Sequence, residues 1–147
     1  MNIDQNTAKN LSNLIEQKDE LEKTIELNFQ KILPQIKETR AKYRQALDEL
    51  RKEFDTQYGF YGFGSDADLE FYSITDNETY CTIRTYNRFN DGDGEIETIK
   101  IPYLKDQEDL LLKEFKESKK KEYIEEMEKA REEKRRHYLQ LKKELGE

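Results

Sequence analysis

The first third of the chain repeats apolar residues at alternating spacings of three and four, which is the pattern of one face of an α-helix. The members of this face are Leu11, Leu14, Leu21, Ile25, Phe29, Ile32, Ile36, Tyr43, Leu47, Leu50 and Phe54. We therefore predict one long helix over residues 4–55. Pro34 lies inside it, and we expect a kink there because proline lacks a backbone N–H and its ring clashes with the carbonyl of Gln30.

The last third of the chain shows the same helical spacing with more charge. Its apolar positions are Leu110, Leu111, Leu112, Phe115, Tyr123, Met127, Ala130, Tyr138, Leu141 and Leu145. Asp106 is a candidate N-cap, Asp109 suits the positive end of a helix, and Gly146 follows the last apolar position. These signals predict a second long helix over residues 106–145.

The segment between the two helices, residues 56–104, carries strand signals. Residues 69–75 and 79–89 are rich in aromatic and β-branched side chains, and residues 95–103 follow two Asp-Gly pairs that favour a hairpin. We predict a three-stranded antiparallel meander. In its central strand, alternation places one set of side chains on a buried face, namely Cys81, Ile83, Thr85, Asn87 and Phe89.

Together these elements predict a single α+β domain over residues 1–147. In this fold, a long antiparallel two-helix coiled-coil stalk has the small β meander inserted between its helices. Folding the helices back on each other would place the basic run 129–136 opposite the acidic run 16–26. The charge pattern therefore favours the antiparallel arrangement.

This layout of helix, small β segment and helix, in a chain of this length, resembles prefoldin. The resemblance implies two helices in an antiparallel coiled coil and the function of a holdase chaperone subunit. Such a subunit would hold its clients with apolar residues at the free helix tips, around Ile3, Leu11, Leu141 and Leu145.

The net charge is −7, from 33 acidic and 26 basic residues, and it is concentrated in the middle of the chain. Residues 56–104 hold nine acids and three bases. One cysteine and one histidine exclude an internal disulfide and a Cys/His zinc site. The chain has no long apolar run and no secretory pattern at its start, so we expect a cytoplasmic protein that does not enter membranes.

Few residues in the sequence indicate catalysis or the binding of a metal or cofactor. His137 lies far from Cys81 in the predicted layout, which disfavours a nucleophile–base pair. The glycines of residues 59–64 lack the Lys-Ser/Thr that follows in a phosphate-binding loop. Counted as a calcium loop from Asp91, the sixth position is Ile96 where glycine is required. We predict no enzyme activity, no metal and no cofactor.

The abundance of Tyr and Phe among acids instead favours a protein partner with a basic surface. The predicted partner-binding residues are Tyr58, Phe60, Tyr61, Phe63, Asp66, Asp68, Tyr80, Arg84, Tyr86, Arg88, Asp91 and Asp93. The first hypothesis is a non-enzymatic interaction protein, and a specific version is an inhibitor of a nucleic-acid enzyme, of the phage anti-defence type.

Two further expectations follow. The Arg and Tyr side chains of the central strand are also typical of sheets that bind nucleic acid, although the negative charge of the segment opposes direct binding. Self-association to at least a dimer is expected, because a two-helix stalk leaves four apolar side chains partly exposed, namely Leu111, Phe115, Tyr123 and Ile124.

Overall fold

The computed structural model describes residues 2–57, 59–88 and 94–146, and of Arg88 only the backbone. Its elements are helix α1 (Gln5–Glu53), strands β1 (Leu69–Asp76), β2 (Tyr80–Arg88) and β3 (Gly94–Pro102), and helix α2 (Asp106–Glu144). The α+β class and the order helix, three-stranded antiparallel sheet, helix are confirmed.

Helix α1 is one continuous helix of 49 residues that includes Pro34. It ends in a Schellman motif, in which the Thr56 N–H donates to the Arg51 carbonyl (3.0 Å) and the Asp55 N–H to the Lys52 carbonyl (3.3 Å). Asp55 adopts the left-handed conformation this motif needs, with φ 49°. The chain therefore reverses sharply after α1, and residues 59–68 return along the helix.

The sheet has the order β1-β2-β3, with both neighbouring pairs antiparallel. Ile83 in the central strand pairs with Ile74 on β1 and Ile99 on β3, and the β1 register shifts between Phe71 and Ser73. The predicted inner face is confirmed in the described part of β2, because Cys81, Ile83, Thr85 and Asn87 are all buried. Phe89 lies outside the described residues.

The inner face of the sheet packs against the second half of α1 and the start of α2. Phe29, Ile36 and Tyr43 of α1 join the buried isoleucines of the sheet, and Phe115 of α2 meets the Tyr43 ring edge-on at 4.5 Å. A second cluster forms around Leu47, Leu50 and Phe60. The core is thus a helix–sheet interface rather than a seam between two helices.

The predicted antiparallel coiled coil is wrong, because the two helices run parallel. Three ion pairs join them, Lys42 with Glu108, Lys116 with Glu49, and Lys120 with Glu53. In each pair the α2 residue lies 66 or 67 positions later in the chain. Antiparallel helices would instead pair later residues of one with earlier residues of the other, and the acidic and basic runs therefore do not meet within one chain. The element order that resembles prefoldin is present, but the antiparallel pairing of helices that the resemblance implies is not.

The parallel overlap leaves one helical arm at each end of the molecule. We call residues 5–28 of α1 the N-terminal arm and residues 124–144 of α2 the C-terminal arm, and every residue in both is exposed. By contrast, Leu111 is buried and Phe115 and Tyr123 are half-buried against their own chain. Of the four residues expected to drive self-association, only Ile124 is exposed.

Two smaller features complete the fold. Asp106 is the first residue of α2 and not its N-cap, since Lys105 occupies the cap position and makes no side-chain capping bond. Within the described ranges, neither helix carries a stretch long and apolar enough to cross a bilayer.

The buried face of the sheet is tested by Ile83→Asp. Ile83 is 1% exposed in the core, so an aspartate there should lower the free energy of unfolding by about 3 kcal/mol or more. The control is Ile96→Asp, at an exposed position of the next strand, which should cost about 1 kcal/mol or less. Urea unfolding followed by circular dichroism measures both, and equal losses would contradict the assignment of the faces.

Candidate functional site

The most buried charged side chain of the described residues is Arg40, which is 1% exposed. Its Nε donates to Asp66 Oδ1 (2.8 Å), its Nη1 donates to Glu97, and its Nη2 donates to the Gly64 carbonyl (2.9 Å). The guanidinium also lies 5.5 Å from the centre of the Phe63 ring. One side chain of α1 therefore connects the segment after α1 with strand β3.

Arg44, one helical turn further along α1, binds the same carboxylate in a bidentate manner. Its Nη1 and Nη2 donate to the two oxygens of Asp66 at 2.9 and 3.0 Å. The hydrogen bonds from Arg44, and then those from Arg40, lower the pKa of Asp66 to about 2, although partial burial acts in the opposite direction. Asp66 is thus held as a carboxylate by two arginines.

We call Arg40, Arg44, Asp66 and Glu97 the ion cluster. Its charged groups bind one another, which leaves them poorly available for catalysis or for a ligand. Two positive charges face two negative charges, and every buried side-chain nitrogen and oxygen in the described residues has a hydrogen-bond partner. Among the same residues no group of His, Cys, Asp and Glu is arranged to hold a metal ion. The cluster therefore stabilises the fold.

Cys81 is the single cysteine of the sequence and a candidate nucleophile. The side chain is buried in the sheet, and burial raises the pKa of its thiol. Because the thiolate is the reactive form, a raised pKa makes Cys81 a poor nucleophile at neutral pH.

Three of the predicted partner-binding residues make contacts within their own chain. Phe60 is buried and stacks on Tyr123 with ring centres 4.6 Å apart, Phe63 packs on Tyr43 at 5.3 Å, and Asp66 belongs to the ion cluster. The physical reason is the chain reversal after α1, which lays the aromatic segment along the helix instead of into solvent.

The backbone of this segment adapts to that packing. Phe60 and Phe63 have φ values of 54° and 51°, a conformation that costs free energy for bulky residues and is offset here by their ring contacts. Gly59 has φ 139°, and a Cβ atom there would lie 3.2 Å from the Tyr123 ring. A glycine is therefore required where the segment passes closest to α2.

The other face of the sheet, which we call the outer sheet face, carries the predicted residues Tyr80, Arg84 and Tyr86. The register places Arg84 beside Thr98 and Tyr86 beside Ile96. The Lys100 ammonium lies 5.1 Å from the centre of the Tyr80 ring. Arg84 is exposed, Ile96 is 47% exposed, and Tyr80 and Tyr86 are half-buried.

Tyr72, which is not among the predicted partner-binding residues, adds a large aromatic side chain to this region. It lies in the β1 irregularity between Phe71 and Ser73 and is 55% exposed. The sequence does contain a signal for it, since strand alternation places Tyr72 on the face opposite to Phe71, but the shift of register at this point is not visible in the pattern.

The remaining predicted residues are dispersed. Tyr61 and Asp68 are exposed in the segment between α1 and β1. Tyr58, Asp91 and Asp93 lie outside the described residues, and of Arg88 only the backbone at the end of β2 is described.

The acidity of the β segment is reduced by the ion cluster. Two of its nine acids, Asp66 and Glu97, are paired with arginines of α1, so the segment together with Arg40 and Arg44 carries −4 instead of −6. Five other acids of its described part are exposed to solvent, namely Asp68, Glu70, Asp76, Glu78 and Glu95.

Comparison with known proteins identifies no relative. The chain matches no protein-family model, and neither the curated proteins nor the solved structures that were compared with it give a match.

The ion cluster predicts a specific pH dependence of stability. The pKa of Asp66 is lower in the folded chain (about 2) than in the unfolded chain (about 3.9), so its contribution is complete above pH 4 and is lost as the pH falls towards 2. This contribution is roughly 2 kcal/mol.

Asp66→Asn should therefore be less stable than the wild type at pH 6, and the difference should shrink at pH 3. Urea unfolding at the two pH values measures it. Asp68→Asn is the matched control, because Asp68 is exposed and asparagine tolerates its positive φ of 59°. A wild-type advantage over Asp66→Asn that is equal at both pH values would show that the charge of Asp66 is not what stabilises the fold.

Proposed function

We propose that this protein is a non-enzymatic interaction protein that binds a protein partner on the outer sheet face. The observation that carries the proposal is that Arg84 and Ile96 are exposed on the outer sheet face, beside the exposed Tyr72 of β1, while the opposite face of the sheet packs in the core. Arginine and large apolar or aromatic side chains are the types that most often anchor protein interfaces.

Rigidity supports the same proposal. The sheet is joined to α1 by the core and by the ion cluster, so its outer face is presented with little conformational freedom. A surface that is already ordered loses less entropy when a partner binds.

The charge of the segment favours a partner with a basic surface. The exposed acids lie in the strands and turns of the sheet and in the segment that precedes it, and acids in such positions accelerate encounter with a positively charged surface. A finer version of the proposal is that the partner is an enzyme acting on nucleic acid, whose basic binding groove this protein would occupy as an inhibitor.

The nucleic-acid-binding alternative is less well supported. It would draw on basic residues near the sheet, but Arg40 and Arg44 bind Asp66, Lys42 binds Glu108, and Lys120 binds Glu53. Paired cations are poorly available to phosphates, which supply most of the affinity in nucleic-acid binding.

The holdase alternative loses its geometric basis. Ile3, Leu11, Leu141 and Leu145 are exposed, as that reading requires. However, the parallel helices place the first two and the last two at opposite ends of the molecule, so they do not line one client-binding opening.

The proposal is tested by an outer-face variant that combines Arg84→Ala with Tyr72→Ala, the exposed aromatic residue next to the β1 partner of Arg84. Affinity capture from a cell lysate with the wild type first identifies the partner by mass spectrometry. The double variant should then bind that partner at least tenfold more weakly, since interface anchors of this kind contribute about 1 kcal/mol or more each.

The matched control is Leu139→Ala with Lys143→Ala, which removes one large apolar and one basic side chain from the exposed C-terminal arm. It should bind like the wild type, and all three proteins should show the same thermal unfolding. Equal binding by the outer-face variant and the control would contradict the proposal. For the finer version, the wild type but not the outer-face variant should lower the partner's activity on nucleic acid.

A further inference from the structure

Each helical arm carries an apolar seam that none of the described residues of its own chain covers. In the N-terminal arm, positions 11, 14, 18, 21 and 25 alternate by three and four and hold Leu11, Leu14, Lys18, Leu21 and Ile25. Four of these five residues are apolar, and all of them are exposed. A seam of this spacing is typical of a helix that packs in a coiled coil.

The C-terminal arm and the residue after it, Leu145, carry the same pattern. Positions 124, 127, 131, 134, 138, 141 and 145 hold Ile124, Met127, Arg131, Lys134, Tyr138, Leu141 and Leu145. Tyr138 is 63% exposed and the others are exposed as well. Helices in proteins gain most of their stability from packing an apolar face, so both arms lack the contact that their sequences are suited to.

One chain cannot join its own arms. The parallel overlap of α1 and α2 directs the arms away from each other, because Lys42 lies level with Glu108 and the helices continue in opposite directions from the sheet region. With a rise of about 1.5 Å per residue, Leu14 and Tyr138 of one chain lie roughly 85 Å apart.

A second copy of the chain removes this restriction. When two copies lie antiparallel about a two-fold axis across the middle of the molecule, the N-terminal arm of each lies beside the C-terminal arm of the other. Both ends are covered at once and no arm is left over, which is the condition for a closed dimer.

The two seams agree in register in this arrangement. Placing Leu11 beside Leu141 of the second copy also places Leu14 beside Tyr138 and Ile25 beside Met127. Each of the five seam positions of the N-terminal arm then meets a seam position of the C-terminal arm, and Ile124 and Leu145 lie beyond the paired stretch. One layer brings like charges together, Lys18 and Lys134 of the second copy, and this layer makes the register testable.

The charges beside the seams are complementary. Residues 16–23 carry −2, from Glu16, Asp19, Glu20 and Glu22 against Lys18 and Lys23. Residues 129–136, which face them in this register, carry +3, from Lys129, Arg131, Lys134, Arg135 and Arg136 against Glu132 and Glu133. A parallel pairing of identical arms would instead place like charges opposite each other.

We propose that two copies of this chain form an antiparallel dimer in which the N-terminal arm of each copy pairs with the C-terminal arm of the other. The molecule that covers each arm is therefore a second copy of the same protein. This inference rests on the arms and the orientation of the helices and is independent of the function proposed for the outer sheet face.

Cysteine cross-linking tests the pairing directly, with Leu14→Cys and Tyr138→Cys combined in a Cys81→Ala chain. In the proposed dimer the two new cysteines face each other across the seam, close enough for a disulfide. Mild oxidation at micromolar concentration should give a covalent dimer on a non-reducing gel, with peptides containing residues 14 and 138 joined in the mass spectrum. Leu14→Cys alone should give no covalent dimer.

Three results would overturn the proposal. The first is a disulfide between residue 14 of two copies, which indicates parallel arms, and the second is a 14–138 disulfide within one chain. The third is a double variant that stays uncross-linked while light scattering reports a monomer. The non-oxidised variants should keep the helical circular dichroism of the wild type, which separates failure to pair from failure to fold.

The like-charge layer gives a second measurement that needs no cysteine. Lys18→Glu should tighten the dimer about three- to tenfold, because the new carboxylate faces Lys134 of the second copy. The double variant Lys18→Glu with Lys134→Glu restores a like-charge layer and should lose this gain. Sedimentation equilibrium measures the dissociation constants, and a constant unchanged by Lys18→Glu would show that the register is wrong.

Discussion

The rest of the structure depends on the ion pairs and hydrogen bonds of the buried Arg40 guanidinium. A charge enclosed in a protein is tolerated only when partners replace the water it has lost, and an unpaired one costs several kcal/mol. Arg40 meets this requirement with Asp66, Glu97 and the Gly64 carbonyl. Its partners come from two parts of the chain that are distant in sequence, so both must lie against α1 for the charge to be compensated.

The positions of the neighbouring elements follow from this constraint. With residues 64–66 held beside Arg40, the aromatic segment must run back along α1, and Phe60 and Phe63 become part of the core. Glu97 binds the same guanidinium, so β3 lies against α1. Helix α2, which follows β3, then begins level with Lys42. The second helix then runs parallel to the first, and both arms are left exposed.

The molecule therefore separates into a rigid centre and two unpaired ends. The centre uses its inner sheet face, its aromatic segment and its buried charges for its own stability, and it leaves the outer sheet face exposed. The arms contribute nothing to that core, yet they carry apolar seams. Among the described residues, the outer sheet face and the seams of the two arms are thus surfaces that the core does not bury. The first is the proposed binding surface for a protein partner, and the second is the proposed contact with a second copy.

The sequence alone was sufficient for the helices, the strands and the buried face of β2, since each depends on local geometry. Apolar spacings of three to four and of two report which side of an element is buried, and they hold whatever lies on that side. Arg40 also left a trace, because it stands between Ile36 and Tyr43 on the apolar face of α1, although its partners could not be read from it.

Only the tertiary structure decided the direction of α2 and the roles of Phe60, Phe63 and Asp66. Complementary charge runs and apolar stripes are compatible with pairing within one chain or between two, so the pattern could not choose between them. The reversal at Asp55 is local, but the course of the chain after it is fixed by contacts between residues far apart in the sequence, such as those of Arg40 with Asp66 and Glu97. The same elements thus form a parallel, partly overlapping pair of helices instead of a hairpin, because the buried charge of Arg40 is compensated in that arrangement.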